Sequence, residues 1–222
     1  MDSIAAGVDL VAATRSLVDI DSTTGREGEA GRWLAQYLRT LGFDVTEQKV
    51  DDTRFNVIAS SGEPVRVVFS THFDCVPPFF PSRIEGGRLY GRGSCDAKGI
   101  LAAQVAAADR MKRQGEGRVG LVFVVGEERG SDGAQAANIV EGGCRFLING
   151  EPTDNRLGIA TRGAYRLRLR AAGRAEAAAD LESRALAVDL EWTRISGPFK
   201  PCDQYSFPDG RKSMMYCYLE LE

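Results

Sequence analysis

Histidine is all but missing from this 222-residue chain: it occurs once, at position 72. Cysteine is sparse too, and the five present are an odd number at scattered spacing, which excludes a disulfide framework. No apolar run approaches the roughly 20 residues that a membrane span requires. Neither sign of charge dominates: 28 basic against 31 acidic residues leave a net charge of −3. That balance argues against nucleic acid or an anionic membrane surface as a partner. The opening residues, Met1-Asp2-Ser3-Ile4-Ala5, lack the basic region and apolar core of a signal peptide. A cytoplasmic chain is expected. Its length lets it bury roughly 70% of its unfolded surface, so a core can form without covalent staples.

What is present is organised around Val65-Arg66-Val67-Val68-Phe69-Ser70-Thr71-His72-Phe73-Asp74. This short β-branched run reads as a buried strand of a mostly parallel sheet. In such sheets functional side chains sit just past the carboxyl ends of the strands. The only imidazole of the chain therefore stands where a metal ligand would, although a hydrogen-bonded core histidine fits the same pattern.

In chain order, Ile4, Val8, Val11 and Val18 predict a helix over 4–18, with Asp2 or Ser3 as its cap. Trp33, Leu34, Tyr37, Leu38 and Leu41 form the stripe of a second helix, with Ser22-Thr23-Thr24 offering caps and Gly42 suited to its end. Strands are expected at 43–50, 54–60, 65–71, 119–125 and 145–148, and a hairpin around Gly86-Gly87. Further helices are expected at about 98–113 and from Ser131 or Asp132 to Val140. Pro77, Pro78 and Pro81 break the stretch 76–81, which is expected to wrap the rim of a site. Tyr165–Arg170 alternates like an exposed strand, and 175–190 is rich in helix formers. The apolar end, Met214–Leu219, reads as a loosely packed tail or a patch needing a partner. Strand–helix alternation gives an α/β fold: a mixed, mostly parallel sheet flanked by helices.

Four strand ends or turns deliver acids or the imidazole: His72 with Asp74, Asp96, Glu127 with Glu128, and Glu151. Each has a plain reading. Asp96 equally suits the N-cap of the helix behind it, Glu127-Glu128 a solvated turn, and Glu151 a loop charge. Together, carboxylates converging on one rim repel one another unless cations are present. One histidine with oxygen ligands suits zinc, one ion or two, with cobalt or manganese as substitutes. Gly91-x-Gly93 does not match a phosphate-binding fingerprint. Cys75 and Cys95, beside Asp74 and Asp96, read as a thiol site or as small lining residues.

His72-x-Asp74-x-Val76-Pro77, Tyr90-Gly91-Arg92-Gly93-x-x-Asp96-x-Lys98-Gly99, Glu127-Glu128 and Gly150-Glu151-Pro152-Thr153 occur in that order. They resemble the motifs of the zinc aminoacylase and carboxypeptidase family, which includes acetylornithine deacetylase, succinyl-diaminopimelate desuccinylase and glutamate carboxypeptidase. The resemblance covers roughly residues 1–173. It implies the catalytic domain of a zinc exopeptidase and a hydrolase of the amide bond in an N-acyl amino acid or small peptide. It implies that His72 and Glu151 bind one zinc, Asp96 bridges two and precedes a cis peptide bond, and Glu128 binds the second. Asp74 would orient His72, and Glu127 would be the general base and acid.

The sequence also departs from that family. A histidine expected after the lid domain has no counterpart, since none follows His72. Gly173-Arg174-Ala175-Glu176-Ala177 stands where the family places Ala-His-Ser. The expectation is a chain with the C-terminal half of the catalytic domain missing, in which 174–222 form a divergent tail in place of the lid and dimerisation domain. Exposed apolar surface would then favour association of copies. The second functional class is accordingly a metal-binding remnant that does not turn over substrate.

Overall fold

The computed structural model describes residues 7–138 and 144–158 in full, and beyond them the strand backbones at 166–171, 190–191, 198–199, 205–206, 212–213 and 216–221. The chain divides into two compact units, Met1–Asn155 and Arg156–Glu222.

The first unit holds helices α1 (Leu10–Val18), α2 (Gly28–Thr40), α3 (Gly99–Arg113) and α4 (Asp132–Ala137) and strands β1 (Asp44–Lys49), β2 (Phe55–Ser60), β3 (Val67–His72), β4 (Arg83–Glu85), β5 (Arg88–Tyr90), β6 (Val119–Val124) and β7 (Phe146–Asn149). Five of the strands make one sheet in the order β1-β2-β6-β3-β7. β6, β3 and β7 are mutually parallel, whereas β2 is antiparallel to both β1 and β6. Four strands thus run one way and β2 alone runs against them, as the near-continuous apolar runs of β3 and β6 predict.

The core lies between helices and sheet. Leu17 of α1, Leu34 and Leu38 of α2, and Leu101, Val105 and Ala108 of α3 pack with Val57, Phe73, Val119, Leu121 and Phe123. The α2 stripe buries Leu34 and Leu38 completely, while Trp33 and Tyr37 stack with ring centroids 5.0 Å apart. At the sheet edge the apolar residues of β7 are open, with Phe146, Leu147 and Ile148 52–61% exposed.

Several local expectations need correction. α1 begins at Leu10, and Asp9 rather than Asp2 or Ser3 caps it by accepting from the N–H groups of Val11 and Ala12. α2 begins at Gly28, so Ser22-Thr23-Thr24 do not cap it. They pair with the chain after β3 instead: Ser22 Oγ donates to Phe73 O at 2.6 Å, and Cys75 N–H donates to Ser22 O at 3.0 Å. Long-range partners outcompete the local capping role of the Ser22 and Thr24 hydroxyls, while Thr23 Oγ1 donates to the neighbouring Asp21 at 2.7 Å. Ser131 holds the N-cap position of α4 without a side-chain cap bond. The end expected for that helix, Val140, lies outside the described residues, as does most of the expected helix 175–190. The hairpin at Gly86-Gly87 forms as read, both glycines having positive φ.

In the second unit, β8 (Arg166–Ala171) pairs in parallel with β13 (Tyr216–Leu221). Tyr216–Leu221 of the apolar end thus has a paired backbone. β9 (Leu190–Glu191) pairs with β10 (Pro198–Phe199), and β11 (Tyr205–Ser206) with β12 (Lys212–Ser213).

Candidate active site

The site grows from the carboxyl ends of the parallel strands. His72 is the last residue of β3, and its register partner Val124 ends β6. Beyond β6, Gly126 takes a φ of +69°, a turn that L side chains rarely adopt, and leads into Glu127-Glu128-Arg129. Beyond β7, Gly150 N–H donates to Ser70 O and Thr71 Oγ1 donates to Gly150 O at 2.7 Å, which holds Glu151 beside β3. Asp96 arrives by another route, in the turn Ser94–Lys98 that opens α3, and the peptide bond after it is cis. Gly93, at φ +81°, lets that turn close, since a Cβ there would stand 2.9 Å from Cys75 Sγ.

Three donors converge. Ligand atoms of His72, Asp96 and Glu151 all lie within 4.8 Å of one another. His72 Nε2 is 3.0 Å from Asp96 Oδ1, 3.9 Å from Glu127 Oε2 and 4.0 Å from Glu151 Oε2. The imidazole is 1% exposed, whereas the Asp96, Glu127 and Glu151 side chains are 38–49% exposed and face solvent. Glu128 stands outside the triad, but the charges of Asp96, Asp74 and Glu127 reach its carboxyl.

Asp74 is the hub behind the triad. Its fully buried carboxylate accepts from His72 Nδ1 at 3.2 Å, Thr24 Oγ1 at 2.8 Å, Glu127 N–H at 3.0 Å and Glu128 N–H at 3.2 Å. With the Asp74 carbonyl also 3.2 Å from Nδ1, that ring nitrogen faces acceptors alone and carries the proton. Nε2 is thereby aimed at the open side of the site.

The electrostatics are set by this geometry. Burial opposes charge on His72, but hydrogen bonds to Asp74 and Asp96 and the charges of Asp74 and Glu127 outweigh it, and its pKa is pushed up to about 11. Burial likewise opposes charge on Asp74, yet the bonds from His72, Thr24 and Glu127 hold it below its ordinary value. Glu128 is raised by burial and by Asp96, and Glu151 by burial and by Glu127 against the pull of His72. Acids of raised affinity for protons around one buried imidazole are a donor set short of positive charge. One imidazole and carboxylate oxygens, with the second ring nitrogen fixed by a carboxylate, fit a divalent cation.

A family model described as peptidase family M20/M25/M40 matches residues 68–205. The chain belongs to this family. A peptidase M20 domain-containing protein of Schizosaccharomyces pombe is 40% identical over 179 residues, covering 77% of this chain and 45% of its own length. A probable carboxypeptidase of Aspergillus terreus is 39% identical over 183 residues, covering 72% of this chain and 42% of its own. The chain thus spans less than half the length of these relatives. Among solved structures, a tripeptidase from Staphylococcus aureus superposes with a TM-score of 0.54 at 26% identity, covering 63% of this chain and 42% of that one. An M20 family metallo-carboxypeptidase from Sulfolobus solfataricus gives 0.55 at 20% identity, covering 67% and 37%. The part of each fold that this chain covers is shared with both.

Of the residues singled out in the sequence, His72, Asp96, Glu127 and Glu151 converge, Asp74 lies buried behind them, and Glu128 is near enough to feel the charges of Asp96 and Asp74. Three supports escaped sequence reading. Thr24 had only the look of a helix cap. Arg54 and Asp132, which pair with each other, carry no motif that marks them. The proline loop is tied to the Gly91–Gly93 turn, Arg92 N–H and Nε donating to Phe80 O and Pro78 O at 3.1 and 2.9 Å. Cys75 is buried and Cys95 exposed, both free thiols. Among the described residues no helix is long and apolar enough to cross a membrane.

Proposed function

We propose that this chain carries the metal centre and acid–base group of a hydrolase that cleaves the amide bond of a small peptide or N-acyl amino acid. The convergence of His72, Asp96 and Glu151 with the Glu127 carboxylate beside them carries the reading. The names of the probable carboxypeptidase and tripeptidase relatives support a peptide-like substrate.

His72 and Glu151 would hold one zinc, Asp96 would bridge to a second, and Glu128 would bind that second ion; cobalt or manganese suits the same donors. When bound, zinc supplies a Lewis acid for the scissile carbonyl and makes attacking water more acidic. Asp74 keeps a proton on His72 Nδ1, so Nε2 is the nitrogen that would give up its proton and donate to the metal. Glu127 takes a proton from water as its oxygen adds to the carbonyl carbon. It returns that proton to the amide nitrogen as the C–N bond breaks.

A second reading is favoured by one observation. Only one histidine exists in the chain, so the Asp96–Glu128 pair has no imidazole of its own. On that reading the chain binds one metal without turnover. Free cysteines without a pairing pattern fit a cytoplasmic setting, and the open apolar strand β7 is the surface through which copies would associate.

Hydrolysis of dipeptides and N-acetyl amino acids with added zinc separates the two readings. Turnover that disappears in Glu127→Ala, with metal content unchanged, supports the hydrolase. Metal binding without turnover supports the remnant.

A further inference from the structure

The turn that carries Glu127 and Glu128 is held from two sides. Asp74 takes its amides from the interior. On the other side, both flanks of the turn meet β2 and the residue before it. Asn56 accepts from Val125 N–H at 3.1 Å and donates to Gly133 O at 2.7 Å, bracketing the loop. Arg54 reaches the same loop through charge: its Nη2 lies 2.5 Å from Asp132 Oδ2. A Cβ on Gly126 would stand 3.2 Å from Arg54 Nη1, so the guanidinium lies directly against the start of the turn.

The guanidinium is itself locked. Its side chain is 14% exposed, with Nε 2.6 Å from Asp51 Oδ2 and Nη1 3.3 Å from Glu27 Oε1. Glu27 is completely buried, and its second carboxylate oxygen has no hydrogen-bond partner. A buried acid so placed has little reason to sit there except to hold Arg54, because its burial is costly without a cation. Asp51 in turn accepts from the N–H groups of Thr53 and Arg54 at 2.8 and 2.9 Å, which fixes the loop from which Arg54 springs. The planar fork spreads its donors, so that Nε, Nη1 and Nη2 each meet a different carboxylate, whereas an ammonium gathers its three donors at one point.

We propose that Arg54 is a positioning residue for this hydrolase, holding the Glu127–Glu128 turn in register with His72 by way of Asp132. The inference rests on the reading of Glu127 as the acid–base group. Without this ion pair the turn keeps its amide bonds to Asp74 but loses the support beneath its far end. The 3.9 Å separation between Glu127 Oε2 and His72 Nε2 is then no longer fixed.

The test uses the full chain with Asp132→Asn, Arg54→Gln and Arg54→Lys. Amide hydrogen exchange is followed over 125–133 and, as reference, over β3 and β6, alongside hydrolysis with added zinc. Asp132→Asn is expected to speed exchange in 125–133 on the order of tenfold while β3 and β6 stay unchanged, since only a local opening is made easier. Its kcat falls on the order of tenfold with KM nearly unaltered, because misplacement of an acid–base group costs the chemical step. Arg54→Lys recovers part of what Arg54→Gln loses. If Arg54→Gln does not fold, Asp132→Asn decides alone. Exchange unchanged in 125–133, or accelerated equally through the whole unit, overturns the proposal. A parent chain without turnover refutes the hydrolase reading, and the exchange contrast still decides whether Arg54 holds the turn.

Discussion

His72 Nδ1 and Asp74 Oδ1, two residues apart in the chain, face each other at 3.2 Å in the interior. The same carboxylate receives the amides of Glu127 and Glu128. One buried side chain therefore sets both the direction of the imidazole and the position of the acid-bearing turn.

Replacing Asp74 should disturb both at once. Asp74→Asn keeps the shape but removes a charge that four donors share, and its amide group presents N–H to at least one of them. Zinc affinity is expected to fall about 10- to 100-fold, as is usual when the partner of a ligating imidazole is lost. Titration against a competing chelator measures it. Affinity within twofold of the parent would show that Asp74 does not orient His72.

The metal-free protein should lose stability as the pH rises. The folded state raises His72 from 6.5 to about 11 and so binds its proton more tightly than the unfolded chain does. That stabilisation is complete below 6.5 and is lost as pH climbs toward 11. Glu128 and Glu151, raised above 4.5, act in the same sense, since ionising them costs more in the folded state. Asp74 acts in the opposite sense: held below 3.8, it stabilises above that value and fails only as the pH falls through its lowered one. Urea midpoints with chelator present are expected to fall steadily between about pH 6 and pH 9, and the slope to shrink in His72→Gln. A midpoint that is flat across that range contradicts the burial and pairing of His72.

The thiols should prove bystanders. Cys95 is exposed beside Asp96, while Cys75 is 2% exposed and 3.5 Å from Ser22 Oγ. Iodoacetamide is expected to label Cys95 in the native chain and Cys75 only after unfolding. A Cys95→Ser variant should bind zinc as the parent does. Loss of the metal in that variant would place a sulfur among its ligands.

Legibility in the sequence differs by element. β6 is readable because both of its faces are covered, and the half-buried β3 because its β-branched apolar run ends abruptly in polar residues. Most of the candidate site acids stood out for the same reason, being among the first polar residues after such runs. Ser22 and Thr24 look like caps because a hydroxyl before a helix has a local role to offer, and only the folded chain shows that Phe73 and Asp74 claim them instead. Arg54 was invisible for a related reason. Its partners Glu27, Asp51 and Asp132 lie up to 78 residues away, and nothing in their spacing brings them together.

Metal stoichiometry of the purified full chain decides whether His72 and its carboxylate neighbours hold a metal. The triad of His72, Asp96 and Glu151 predicts one tightly held zinc per chain when zinc is supplied, lost in His72→Ala, with the second ion at Asp96 and Glu128 held more weakly for want of an imidazole. A chain that binds no zinc, or a His72→Ala variant that keeps it, would contradict the account.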